Sequence, residues 1–158
     1  DAITFSDVIG GGATGALGQL TSSGGSTILN GDVTATGVNL GNPVTLTTDV
    51  TFTAVASTFG GTVNADATPR NLVVTGTLTL NGGVVNTNGG NQTYGGAITL
   101  GVNTTMTGHN FSFGGAIDSA TATARSFQMV NTGDVILPTG GIGLVLIIVR
   151  VLLLAGRI

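Results

Sequence analysis

Apolar and polar residues alternate along this chain in short bursts, among them Val50-Thr51-Phe52-Thr53 and Thr77-Leu78-Thr79-Leu80. A two-residue period puts valine, phenylalanine and leucine on one face of a strand and threonine on the other. Between the bursts stand glycine pairs and Asn-Gly pairs, which turn a chain where φ is positive or backbones come close. The pattern predicts many short strands, each with one buried face.

A second pattern overlies the first. A large apolar residue, three further residues and then valine or isoleucine recur as Phe5–Ile9, Leu29–Val33, Leu40–Val44, Phe59–Val63, Leu80–Val84, Tyr94–Ile98 and Phe113–Ile117. Leu137–Ile142 is the same beat stretched by one residue. An offset of 54 lays Phe59-Gly60-Gly61 over Phe113-Gly114-Gly115, Val63 over Ile117 and, after one insertion, Arg70 over Arg125. It also lays Phe5 over Phe59, so about three copies of a 54-residue period fill residues 1–142. Three beats per period average 18 residues, room for three short strands and their turns. That is one coil of a solenoid, in which each coil buries its apolar face on the next. The expected fold is an all-β parallel solenoid of about eight coils. Asn30-Gly31 and Asn81-Gly82 also fit two-residue hairpins, so an antiparallel β-sandwich is the alternative.

Composition narrows the picture. Glycine accounts for 28 of the 158 residues, and only 7% are charged. Every acid is aspartate and every base arginine. Without glutamate or lysine the chain lacks two strong helix formers, and its threonine and valine favour pleated surfaces. No cysteine is present, which excludes disulfides and thiolate metal sites. A net charge of −3 with scattered arginines offers no basic stripe for nucleic acid. The chain opens directly on an apparent strand, without a signal peptide, and its unpunctuated ends suggest a piece of something longer.

Residues 92–120, QTYGGAITLGVNTTMTGHNFSFGGAIDSA, with weaker echoes in residues 58–80 and 2–46, resemble the repeats of filamentous-haemagglutinin-like adhesins. These are large bacterial exoproteins of two-partner secretion and related autotransporter-type surface proteins. The resemblance covers residues 1–142 and implies a right-handed parallel β-helix in an extracellular stalk. It implies adhesion to a host-surface glycan or protein, or presentation of other domains, at the cell surface. It brings no catalytic residue, cofactor or metal.

The residues themselves also argue against chemistry. Asp7, Asp32, Asp49, Asp66, Asp118 and Asp134 lie beside turn glycines or at strand ends, where local hydrogen bonding favours aspartate. A carbohydrate-active β-helix enzyme needs two acids in one groove. The 54-residue period sets Asp66 and Asp118 about three coils apart. His109 is the only histidine, faces Val55 in the preceding copy, and has no adjacent carboxylate with which to hold a metal. No Gly-Lys-Ser/Thr follows the glycine pairs, so they are not phosphate loops. Arg70 and Arg125, matched by the repeat, are the candidate ligand or partner contacts, since arginine suits carboxylates and acidic sugars. The plainer reading of Arg70 pairs it with Asp66. Threonine pairs such as Thr45/Thr47 and Thr77/Thr79 suggest an ice-binding face, but they do not recur evenly one coil apart.

Beyond Gly141 the wording changes. Residues 143–158 form a second segment, in which the run from Leu144 to Ala155 is apolar except for Arg150. A membrane span needs about 20 apolar residues, and a central arginine costs about 2.5–3.5 kcal/mol on insertion scales, so a full span is not expected. Leu144, Leu146, Ile148, Arg150, Leu152 and Leu154 are instead expected in a cap over the open solenoid end, or in a contact with a neighbouring subunit. The leading expectation is a structural or adhesive segment without enzymatic activity. The alternative is a self-assembling or membrane-associated subunit whose tail makes the contact.

Overall fold

The computed structural model describes residues 1–11, 15–121, 123–138 and 145–151. The described residues contain strands, turns and no helix. The strands lie on three faces. Face A stacks β1 (Ala2–Phe5), β3 (Ser26–Leu29), β5 (Val44–Leu46), β8 (Val63–Ala65), β11 (Val84–Asn86), β14 (Thr104–Gly108), β17 (Arg125–Asn131) and β19 (Val145–Val151). Face B stacks the first residues of β4 (Val33–Leu40), then β6 (Val50–Thr53), β9 (Leu72–Val74), β12 (Gln92–Tyr94), β15 (Phe111–Phe113) and β18 (Val135–Ile136). Face C stacks β2 (Leu17–Ser22), the end of β4, then β7 (Ala56–Phe59), β10 (Thr77–Leu80), β13 (Ile98–Leu100) and β16 (Ile117–Ser119).

The chain passes A, B, C and returns to A one layer higher. The ladders on all three faces are parallel, so the protein is a β-solenoid and not the antiparallel sandwich. Asn30-Gly31 and Asn81-Gly82 round corners between faces, and neither closes a hairpin. Eight strands stack on face A, so about seven turns separate the first from the last, in keeping with the expected solenoid of about eight coils.

The apolar beats have a different meaning from the one the repeat suggested. The apolar beats mark corners, not coils: Leu29–Val33 rounds A to B, Phe59–Val63 rounds C to A, and Phe113–Ile117 rounds B to C. Registered partners on face C are 18, 19, 21, 20 and 19 residues apart, read from Leu20↔Val38, Val38↔Ser57, Ser57↔Leu78, Leu78↔Ile98 and Ile98↔Ile117. Fifty-four residues therefore fall short of three turns, which is why Phe59 ends a face C strand while Phe113 ends a face B strand.

The beat residues point inward as the alternation requires. Leu29, Leu40, Val44, Phe59, Val63, Tyr94, Ile98, Phe113 and Ile117 are all buried. Phe5 and Ile9, in the first coil, are partly buried, and Leu137 is exposed. Val84 is exposed because the corner from Leu80 is one residue longer and Val85 takes the inward place between Val63 and Met106. On face B, Val33, Phe52, Val74, Tyr94 and Phe113 form one registered inner column. Tyr94 and Phe113 stack with ring centroids 5.5 Å apart, and Phe113 meets Phe127 edge-on at 6.0 Å. The buried Tyr94 hydroxyl donates to Gln92 Oε1 at 2.6 Å, while Gln92 Nε2 donates to Thr87 Oγ1 and to the Thr107 carbonyl. Burial raises the Tyr94 pKa, so its hydroxyl stays protonated and donating.

Sheet A runs past residue 142: β19 pairs in parallel with β17, from Arg125↔Val145 to Asn131↔Val151. Leu146, Ile148 and Arg150 belong to this strand, whereas Leu144, Leu152 and Leu154 lie outside the described residues.

Candidate functional site

Arg70 sits in the loop between β8 and β9, at the corner from face A to face B. Asp66 opens that loop. Its Oδ1 accepts from the Thr68 backbone N–H and from Arg70 Nε, both at 2.9 Å, and its Oδ2 accepts from Arg70 Nη2 at 2.7 Å. This two-pronged pair uses the planar guanidinium fork on a neighbour rather than on a ligand. Arg70 first, and the Thr68 N–H second, hold the Asp66 carboxyl below its ordinary range, and Asp66 raises Arg70 in return. A lowered carboxyl contributes stability above the ordinary carboxylate pKa of about 3.9 and loses it as pH falls through the folded value. In a carbon-detected NMR titration, the Asp66 midpoint should lie below the ordinary range and rise toward it in Arg70→Gln. A midpoint unmoved by that substitution would contradict the assignment.

Arg125 begins β17, at the corner from face C to face A. Its backbone N–H donates to Ser119 Oγ at 3.1 Å, and its Nε is buried without a hydrogen-bond partner among the described residues. The repeat thus matched two arginines that the fold puts at different corners. They do not form one site.

The other candidates are also dispersed. His109 turns the A-to-B corner, where Nδ1 hydrogen-bonds Thr132 Oγ1 at 2.8 Å. Asp66 follows β8 while Asp118 lies on β16, two turns later and on another face. Among the described residues no three of the His, Cys, Asp and Glu groups gather as a metal site, and no helix is long and apolar enough to cross a membrane.

Two arrangements went unread in the sequence. The first is a ladder of side chains at the A-to-B corner, one step before each face B strand. Asp49 Oδ1 accepts from Asn71 N, Asn71 Oδ1 from Asn91 N, Asn91 Oδ1 from Asn110 N, and Asn110 Oδ1 from Asp134 N, at 2.7 to 3.2 Å. Corner loops of unequal length leave these N–H groups without backbone acceptors, and the side chain of the coil before supplies one. The available signal was Asp or Asn directly before Val50, Leu72, Gln92, Phe111 and Val135, at intervals of 19 to 24 residues.

The second is a rank of outward side chains on face C. Thr21, Asn39, Thr58, Thr79, Thr99 and Asp118 are registered partners on successive coils. Even spacing exists there, but between single threonines and not between Thr-x-Thr units. On face B, a groove of about 260 Å³ runs over Asn91, Thr93, Asn110 and Ser112, closed at one end by Asp134 and Ile136. It is open, its lining mixes amides and hydroxyls with Phe111 and Ile136, and Asp134 is the one acid on its wall.

The chain matches no family model, and neither a curated protein nor a solved structure matches it.

Proposed function

We propose that this chain is a structural, adhesive segment of an extracellular bacterial surface protein, with no chemistry of its own. The observation carrying the reading is the continuity of the scaffold. Parallel ladders on three faces hold seven turns in one rod, about 34 Å from first strand to last at about 4.8 Å per step. The exterior is hydroxyl- and amide-rich, and four of its acids serve corners: Asp7, Asp32, Asp49 and Asp66 each accept from a backbone N–H. Beads coated with the folded chain should adhere to host-cell surfaces or immobilised glycans above uncoated controls and release no product from polysaccharides. Turnover of a polysaccharide that is lost in an Asp118→Asn or Asp134→Asn variant would overturn the reading.

A second reading is self-assembly through the apolar tail, favoured by the addition of β19 as the eighth strand of face A. Deleting residues 143–158 separates the two. The adhesive segment predicts a folded monomer by sedimentation velocity with or without the tail. Assembly that disappears with the deletion would establish the second reading instead.

A further inference from the structure

Three asparagines share an arrangement that the corner ladder only partly explains. Asn91, Asn103 and Asn110 each stand two residues before a hydroxyl, in Asn91-Gln92-Thr93, Asn103-Thr104-Thr105 and Asn110-Phe111-Ser112. Asn-x-Ser/Thr is the acceptor sequence for N-linked sugar. Three such triplets are unremarkable in a chain this rich in threonine and asparagine, so the count carries nothing. The geometry does.

In all three the amide is held by its oxygen. Asn91 Oδ1 accepts from Asn110 N at 3.2 Å, Asn103 Oδ1 from Ser126 N at 3.0 Å, and Asn110 Oδ1 from Asp134 N at 2.7 Å. Their Nδ2 groups make no hydrogen bond among the described residues. Elsewhere Nδ2 of Asn30, Asn42, Asn64, Asn71, Asn88 and Asn131 donates to a protein acceptor, and Asn86, whose Oδ1 is likewise held, has no hydroxyl two residues on. Asn91 and Asn103 are exposed and Asn110 half-buried. A fixed Oδ1 orients the amide plane and leaves the nitrogen as its free edge.

The partner hydroxyls are placed to match. The two-residue strand period sets each asparagine and its hydroxyl on the same side of the chain. Thr93 and Ser112 are registered neighbours on β12 and β15, so two acceptor triplets lie side by side. Together they form most of the face B groove. That groove is open to solvent and lacks the enclosure of a small-molecule pocket.

We propose that Asn91, Asn103 and Asn110 are sites of N-linked glycosylation. The donor is a sugar carried on phosphate, as a nucleotide or lipid-linked ester, and a transferase supplies the base. The Nδ2–C1 bond forms, the C1–O bond to phosphate breaks, the phosphate leaves with its electron pair, and the Nδ2 proton passes to the transferase. The Oδ1 contacts survive the reaction, so the scaffold accepts the sugar without losing a rung. The inference is independent of the adhesive reading, because a bare solenoid remains a solenoid.

The test is peptide mapping by mass spectrometry of the chain isolated from the cells that produce it. Sugar-mass additions are expected at Asn91, Asn103 and Asn110 and at no other asparagine. Thr93→Ala, Thr105→Ala and Ser112→Ala should each abolish the addition two residues earlier while leaving the other two sites occupied and the fold intact by circular dichroism. Unmodified asparagine at all three sites, or sugar that persists at each site after its hydroxyl is removed, would overturn the proposal.

Discussion

Phe113→Ala is expected to cost about 3–5 kcal/mol, enough to unfold or nearly unfold a domain of ordinary stability. Phe113 is buried at the meeting point of three rings: Tyr94 below it in the face B column, Phe111 on its own strand and Phe127 across the interior. Removing its ring opens a cavity that parallel strands on three faces cannot collapse without breaking register. Urea denaturation of Phe113→Ala beside Thr53→Ala, an outward position on β6, checks this. The first midpoint should fall steeply, and the second should correspond to a change within about 0.5 kcal/mol. Similar midpoints would mean that the stacked column is not the core.

Gly82→Ala is the second large effect. Gly82 rounds the C-to-A corner directly above Gly61, and a Cβ there would overlap the Gly61 carbonyl. The obstacle is backbone, so no side chain can rotate away, and the coils themselves must part. Overpacking of this kind costs about 1–3 kcal/mol and sometimes more, and with backbone of the adjacent coil as the obstacle the upper end or beyond is expected. The neighbouring Gly83 has a φ of +75°, where alanine is strained by about 1–2 kcal/mol, yet a Cβ there approaches nothing closer than 3.2 Å. Thermal melts should therefore rank Gly82→Ala below Gly83→Ala. The reverse ranking would show that turn conformation, and not the contact between coils, selects glycine at this corner.

These two residues show which parts of the fold can be read from the chain. Inward placement of Phe59, Tyr94 and Phe113 follows from alternation and from the beat, because both reflect which side of a strand meets water. The coil length does not follow, since one beat serves all three corners and its recurrence fixes no face. That ambiguity turned Arg70 and Arg125 into apparent equivalents, though one pairs with Asp66 and the other begins β17. Val84 was misplaced for a similar reason: one added corner residue reverses which valine faces inward. The Asp49–Asn71–Asn91–Asn110–Asp134 ladder was illegible because its bonds join residues about twenty positions apart. Their one trace in the sequence is Asp or Asn directly before each of the face B strands they join.

The central claim is that the repeated phrases are corners of one parallel rod, in which neighbours are set by the turn and not by the 54-residue repeat. The chain has no cysteine, so introduced pairs report without background. Thr58 and Thr79 are registered partners on adjacent face C strands, whereas Thr58 and Ser112 are repeat equivalents on different faces. Mild oxidation should close a disulfide in Thr58→Cys/Thr79→Cys, because adjacent strands bring the Cα atoms within the 4.4–6.8 Å that the bond requires. The Thr58→Cys/Ser112→Cys variant should stay reduced within the monomer. Rapid closure of the second pair and none of the first would contradict the account.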